Sequence, residues 1–255
     1  MSARSPAPSI AELRAVAQPP SIFARNSGEH WAGRLYVRRI SIHLTRRLIP
    51  TRVTPNAVTW SMIVVGLLAA VALALPGIWT AVAAVLLIQL QILFDCSDGE
   101  LARWRGQSSP LGIYLDRIAH YVTETAFPIA LGIRADGGFG EIGHYTTLGL
   151  VAAVLALFVR TQSALVAVAR IESGRGAAAD TAEVAAPRPG LLRRARRALA
   201  FFPFFRVFVA IEATLVALAA ELLDAVDVLV VALVPIAAVT AAGRLVAIVT
   251  SERLR

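Results

Sequence analysis

The sequence predicts an all-α integral membrane protein, with six transmembrane helices and an amphipathic interfacial helix before them. Of the 255 residues, 57% are apolar and only 16% are charged, whereas a soluble domain carries about 25% charged residues. Apolar segments recur along the chain, each close to the roughly 20 residues that a helix needs to cross a bilayer. They span residues 57–75, 78–94, 111–133, 145–169, 201–222 and 228–249.

The chain divides into a tail, an interfacial helix and a transmembrane domain. Residues 1–28 contain four prolines and no apolar run typical of a signal peptide, which predicts a disordered tail. Residues 29–50 place apolar side chains among arginines at helical spacing, which indicates a helix lying on the membrane; a polybasic lead-in to the first span is the alternative. Residues 51–255 form the six-helix domain, with a cytoplasmic loop at 170–200.

The positions of the arginines predict the orientation in the membrane. Arginines cluster before the first span, between spans two and three, between spans four and five, and after the sixth, whereas the opposite connections are poor in cations. The positive-inside rule therefore places both termini in the cytoplasm of a multi-pass cell-membrane protein. The net charge of +8 suits membrane lipids or a phosphate-bearing substrate; because most arginines flank apolar spans, a nucleic-acid partner is not expected.

Three carboxylates and an imidazole lie at the junction of the second and third spans. Asp95 and Asp98 are three residues apart, and Asp116 and His120 are four apart, so each pair shares one helical face. If the two helices pack together, all four side chains converge. The alternative is that the aspartates are separate helix-end charges at the membrane surface, but charges at this depth favour a polar cavity.

Closely packed carboxylates repel one another unless a cation lies between them. Oxygen ligands favour Mg²⁺ or Mn²⁺, with Ca²⁺ as a further possibility, and Mg²⁺ binds through one or two carboxylates together with substrate phosphates. Gly99 and Gly112 let a phosphate group approach the backbone, and Arg103 offers a bidentate phosphate contact. The pattern therefore predicts a metal site that holds a phosphate-bearing substrate.

The pattern D-x-x-D-G-x-x-A-R, eight residues, then G-x-x-x-D, runs from Asp95 to Asp116 without a gap. It resembles the signature of the CDP-alcohol phosphatidyltransferase family, also called CDP-alcohol phosphotransferases. The run Thr54-Pro55-Asn56 before the first span and the six-span layout are similar to that family as well. The resemblance extends from about Arg34 to the C-terminus and is most specific in the aspartate pattern.

The resemblance implies an enzyme of phospholipid biosynthesis, usually a homodimer, with its active site facing the cytoplasm. One or two divalent metals, Mg²⁺ or Mn²⁺, would bind the pyrophosphate of a CDP-linked lipid donor such as CDP-diacylglycerol. An alcohol acceptor would then attack phosphorus and CMP would leave. Carried over by position, the metal ligands are Asp95, Asp98 and Asp116, and the CDP-binding residues are Gly99, Ala102, Arg103 and Gly112.

His120 departs from the pattern, because the family has its fourth aspartate there, the residue assigned as general base. Imidazole is a competent base but a poorer Mg²⁺ ligand than carboxylate. The catalytic candidates are therefore His120, Asp116 and Glu124, which lies one helical turn beyond His120. Glu124 either orients His120, supplies the missing carboxylate, or only pairs with a neighbouring arginine.

Arg160 and Arg206 lie within or near predicted spans, where an arginine needs an anionic partner. They are candidate acceptor-binding residues, with Glu212 as an alternative structural partner.

Two other function classes remain open. Because of His120, the chain is alternatively a catalytically impaired paralogue that binds a CDP-lipid or scaffolds other enzymes. A transporter is less consistent with charges that cluster at one membrane face.

Overall fold

The computed structural model describes residues 7–20, 32–140, 142–174 and 210–251. Within these residues the chain forms α-helices, a single π-helical segment and no strand. In chain order the elements are α1 Ile10–Ala17, the π-helical segment Gly33–Val37, α2 Arg38–Leu48, α3 Pro55–Ala74, α4 Ile78–Arg105, α5 Pro110–Ala135, α6 His144–Glu172, α7 Ala210–Leu222 and α8 Val226–Val249. The chain divides into two compact units; the first comprises Met1–Ala69 and Leu86–Thr123, and the second Ala70–Val85 and Glu124–Arg255.

The all-α membrane class is confirmed. In the described part of the chain, four helices are long and apolar enough to cross a bilayer: α3, α4, α6 and α8. Helix α5 matches the third predicted span in length but carries the charged residues of the candidate site. The fifth predicted span, 201–222, is described only from residue 210 onwards. The count of six spans therefore stays a prediction.

The N-terminal segment differs from the expectation of a disordered tail, because residues 10–17 form helix α1. Ser9 and Glu12 form a capping box, in which each side chain accepts a hydrogen bond from the other residue's backbone N–H. Leu13 and Ala17 are fully buried and pack with Ile42 of α2 and Trp104 of α4. The helix was not predicted because it is short and has prolines on either side.

Helix α2 and the π-helical segment occupy the described part of the predicted interfacial helix. Ser41, Ile42 and Thr45 are buried on the inner face of α2, whereas Arg39 and Arg46 are exposed on the other side. The apolar Ile40 is exposed as well, and the buried face contains two hydroxyl residues, so the position of this helix on the membrane surface stays a prediction. Residues 21–31 and 175–209, which include most of the loop at 170–200, lie outside the described residues.

Two polar anchors organise the second unit. Arg134, near the end of α5, donates hydrogen bonds to the backbone oxygens of Leu73, Leu75 and Gly77 and to a carboxylate oxygen of Glu221. These bonds reach backbone oxygens at the end of α3 and in the short connection to α4. After α5, the carboxylate of Asp136 accepts hydrogen bonds from the first turn of α6, through the backbone N–H groups of residues 143, 145 and 146.

Candidate active site

The first unit brings together Asp95 of α4 and Asp116 and His120 of α5. His120 Nε2 lies 3.3 Å from Asp95 Oδ1 and 3.7 Å from Asp116 Oδ1. One ligand atom from each residue can be chosen so that all three lie within 4.8 Å of one another. The three side chains are partly buried. As the spacing predicted, Asp116 and His120 share one face of α5, and this face packs against α4.

This donor set fits a divalent cation. One carboxylate oxygen of Asp95 and one of Asp116 lie within 4.8 Å of each other, an arrangement in which two ionised carboxylates repel unless a proton or a cation lies between them. Two carboxylates and a neutral imidazole nitrogen form an oxygen-rich set with one nitrogen, which Mn²⁺ accepts more readily than Mg²⁺ does. Asp95, Asp116 and His120 could therefore hold a metal ion. The assignment of Asp98 as a further metal ligand stays a prediction.

Asp98 lies one turn beyond Asp95 on α4 and is almost fully buried. Its Oδ2 accepts a hydrogen bond of 2.6 Å from Thr59 Oγ1 of α3. The negative charges of Asp95 and Asp116 lie near enough to repel a negative charge on Asp98. The sequence pattern did not identify Thr59. The sequence signal for Thr59 is a hydroxyl side chain one helical turn after Pro55, on the helix that follows the Thr54-Pro55-Asn56 run. In the structure this hydroxyl residue is buried.

The two glycines of the pattern lie close to side chains of neighbouring residues. A Cβ atom at Gly112 would lie 3.3 Å from Asn56 Oδ1 and 3.4 Å from Ser109 Oγ, and the Gly112 N–H donates to that same hydroxyl. A Cβ atom at Gly99 would lie 3.0 Å from Arg103 Nη1. The guanidinium of Arg103 therefore lies directly across Gly99. Ala102, beside Arg103 on α4, is partly exposed.

Arg103 has a protein partner that the sequence did not predict. Its Nε–H donates a 2.7 Å hydrogen bond to the backbone oxygen of Ala17, the last residue of α1. The neighbouring Glu100, which is fully buried, also lies among hydrogen-bond donors from the N-terminal elements. Both residues lie inside the aspartate pattern, so the N-terminal segment packs against the site.

The second unit contains the other two described candidates, Glu124 and Arg160. Arg160 donates from Nε and Nη2 to the two carboxylate oxygens of Glu124, as a bidentate pair between α5 and α6. The structure therefore contains the pairing of Glu124 with an arginine, and the role of Glu212 as a structural partner stays a prediction. The roles of Glu124 towards His120 and of Arg160 towards an acceptor stay predictions. Arg206 lies outside the described residues.

Comparison with known proteins agrees with this geometry. No curated protein matches the chain. The family model described as CDP-alcohol phosphatidyltransferase matches residues 52–231, which include the whole aspartate pattern and more than half of the chain. With its apolar helices and its clustered Asp95, Asp116 and His120, the chain belongs to the CDP-alcohol phosphatidyltransferase family.

Proposed function

We propose that this protein transfers a substituted phosphate group from a CDP-linked lipid donor, CDP-diacylglycerol, to an alcohol acceptor and releases CMP. The observation that carries the proposal is the convergence of Asp95, Asp116 and His120 within the family's aspartate pattern. Apolar helices supply the membrane setting in which a lipid-linked donor is available. The reaction belongs to phospholipid biosynthesis.

The carboxylates of Asp95, Asp98 and Asp116 are the proposed holders of one or two divalent ions, Mg²⁺ or Mn²⁺. Such an ion, when bound, neutralises the charge of the pyrophosphate. Thr59 fixes the carboxylate of Asp98 through its 2.6 Å hydrogen bond, so this group keeps one orientation. Gly99, Ala102 and Gly112 are the proposed CDP-binding positions, and Arg103 contributes a positive charge across Gly99.

His120 is the proposed general base. Its Nε2 takes the proton of the acceptor hydroxyl as the hydroxyl oxygen forms a bond to the phosphorus that carries the lipid. The bond from that phosphorus to the CMP oxygen breaks, and the electron pair leaves with CMP. The carboxylates of Asp95 and Asp116, 3.3 and 3.7 Å from Nε2, stabilise the imidazolium that results. Glu124 is proposed to support His120 from one turn further along α5.

The acceptor and the surroundings of the site complete the proposal. Arg160, whose side chain is 42% exposed, and Arg206 are the proposed contacts for an anionic acceptor. The positive-inside pattern favours a cell-membrane protein with both termini and the active site facing the cytoplasm, and with α2 lying on the anionic lipid surface. We further propose a homodimer, as the family resemblance implies.

CMP release tests the proposal directly. Purified protein in detergent is incubated with CDP-diacylglycerol, Mg²⁺ or Mn²⁺, and a panel of polyols and polyol phosphates. Metal-dependent CMP release that disappears in Asp98→Asn, but persists in Asp224→Asn at an exposed turn, is the expected result. No CMP with any metal, acceptor or CDP-linked polar donor would favour the alternative, a catalytically impaired CDP-lipid-binding or scaffold protein. In that case, CMP release restored by His120→Asp would attribute the loss to this histidine.

A further inference from the structure

A buried carboxylate inside the aspartate pattern connects three helices of the first unit. Glu100 of α4 is fully buried, and its oxygens accept hydrogen bonds from Ser41 Oγ at 2.6 Å, Thr45 Oγ1 at 2.7 Å and Gln18 Nε2 at 2.8 Å. The guanidinium of Arg38 lies 3.4 Å away and supplies the opposite charge. A buried carboxylate with this many donors holds their elements in one arrangement.

The same contacts fix the end of α1. Gln18, the C-cap residue of α1, donates from Nε2 both to Glu100 and to the backbone oxygen of Arg38, at 2.7 Å. Beside it, Leu13 and Ala17 of α1 are completely excluded from solvent and pack with Ile42 and Trp104. Polar and apolar contacts therefore act together to hold α1 against α2 and α4.

The end of α1 in turn contacts Arg103. The carbonyl of Ala17 is one of the last in α1, where backbone oxygens lack helical partners and the helix dipole is negative. The Nε–H of Arg103 satisfies this oxygen at 2.7 Å. With Nε committed to Ala17, Nη1 of the same guanidinium lies next to Gly99. The direction of the guanidinium across the candidate substrate site is thus set by α1.

We propose that α1, anchored by Gln18 and Glu100, is a positioning element that orients Arg103 for the diphosphate of the nucleotide donor. The inference rests on the proposed function, since it assigns a role within that same site. An arginine side chain loses rotamer entropy when it binds a ligand, and fixing it before the ligand arrives strengthens binding. Arg103 is the group that touches substrate; Gln18, Glu100 and Leu13 act through it.

A matched pair of substitutions in the full chain separates docking of α1 from its presence. Leu13→Asp places a charge in the buried face of α1, whereas Ala15→Asp places the same charge on its exposed face. Gln18→Leu removes the polar anchor at similar volume and leaves the apolar contacts in place. The dissociation constant of CDP is measured by calorimetry in detergent with Mg²⁺, together with KM and kcat and the thermal unfolding midpoint.

Leu13→Asp and Gln18→Leu are each expected to weaken CDP binding about 3- to 10-fold, with KM for the donor rising and kcat nearly unchanged, because the contact is made to bound substrate. Ala15→Asp is expected to match the wild type. The decisive comparison is made in an Arg103→Lys background, because lysine has no Nε–H to donate to Ala17. There, neither substitution is expected to weaken CDP binding further.

Three results would overturn the inference while leaving the proposed function intact. The first is unchanged CDP binding in both variants, and the second is an equal loss with Arg103 and with lysine at that position. The third is a fall in binding that only follows a fall in unfolding midpoint and is shared by Ala15→Asp. A wild-type protein that neither binds CDP nor releases CMP would instead overturn the proposed function, and the inference with it.

Discussion

Glu124 of α5 and Arg160 of α6 form a bidentate ion pair in which the two partners are buried to very different extents. The side chain of Glu124 is 6% exposed and that of Arg160 is 42% exposed. Both carboxylate oxygens accept from the guanidinium, one from Nε and one from Nη2. A buried carboxylate is costly without a cation beside it, so the pair stabilises α5 against α6 chiefly by compensating Glu124.

The asymmetry of this pair predicts an asymmetric response to mutation. Arg160→Ala leaves a buried carboxylate uncompensated, whereas Glu124→Ala leaves a guanidinium that is buried to a much smaller extent. An uncompensated buried acceptor costs about 1–3 kcal/mol, so Arg160→Ala is expected to lower the thermal unfolding midpoint more than Glu124→Ala does. The double variant is expected to lose less unfolding free energy than the sum of the losses in the two single variants. Equal midpoints for the single variants would contradict this account.

A separate substitution tests whether Glu124 also acts on the reaction. Glu124→Gln retains the shape and can still accept from Arg160, but it removes the negative charge. If Glu124 supports His120, kcat is expected to fall by about 10- to 100-fold, since general-base catalysis contributes about 10²- to 10⁴-fold. The unfolding midpoint is measured on the same preparation. Unchanged turnover would leave Glu124 with its pairing to Arg160 alone.

Metal binding can be measured independently of turnover. Because Asp95, Asp116 and His120 offer ligand atoms within 4.8 Å of one another, Asp95→Asn and Asp116→Asn are each expected to weaken Mn²⁺ binding at least 10-fold. Titration followed by electron paramagnetic resonance measures the free ion directly. The control is Asp224→Asn, at an exposed turn. Wild-type affinity in both site variants would remove these residues from the metal site.

Much of the candidate site could be predicted because it depends on periodicity within single helices. The spacing of Asp116 and His120 places both on one face of α5, wherever that helix lies. The convergence with Asp95 required the packing of α4 against α5, and the gapless aspartate pattern indicated that packing only through resemblance. The positions of the aspartates and glycines could therefore be predicted from their spacing, although the distances between their side chains could not.

The contacts that were not predicted involve residues far apart in sequence. Gln18 lies 82 residues before Glu100, and Ala17 lies 86 residues before Arg103. No periodicity relates such positions, and the two prolines at positions 19 and 20 indicated a loose tail. The capping box of Ser9 and Glu12 was a readable signal for α1. The residues that α1 contacts could not be predicted from the sequence, because tertiary packing alone selects them.

The crossing of α5 and α6 provides a steric prediction. A Cβ atom at Gly149 of α6 would lie 2.4 Å from the backbone oxygen of Pro128, which cannot move without shifting α5. Gly149→Ala is therefore expected to destabilise the protein by about 1–3 kcal/mol. At Gly243 of α8 a Cβ atom meets nothing within 4 Å among the described residues. Gly243→Ala is the control, expected to be neutral or stabilising by up to about 1 kcal/mol; the same midpoint shift in both would contradict the close crossing.

Asp136 gives the protein a pH-dependent contribution to stability. Burial raises the pKa of its carboxyl, but hydrogen bonds from the hydroxyl and N–H of Thr146 and the N–H groups of Gly143 and Tyr145 outweigh that effect, so the pKa lies below its ordinary value. A carboxyl whose pKa is lower in the folded than in the unfolded state stabilises the fold above the unfolded pKa, about 3.9. That contribution disappears as pH falls through the folded pKa.

Asp136→Ala is therefore expected to lower the unfolding midpoint at pH 7, because the first turn of α6 loses its cap. Loss of a helix cap costs about 1 kcal/mol, which corresponds to a shift of about 2–4 °C for a chain of this size. As pH is lowered below about 4, the midpoints of wild type and variant are expected to approach each other, since the wild-type carboxyl becomes protonated as well. Asp224→Asn, at an exposed turn, controls for general effects of charge. A gap that stays constant from pH 7 to pH 3 would mean that Asp136 stabilises α6 without its charge, through the shape of the turn alone.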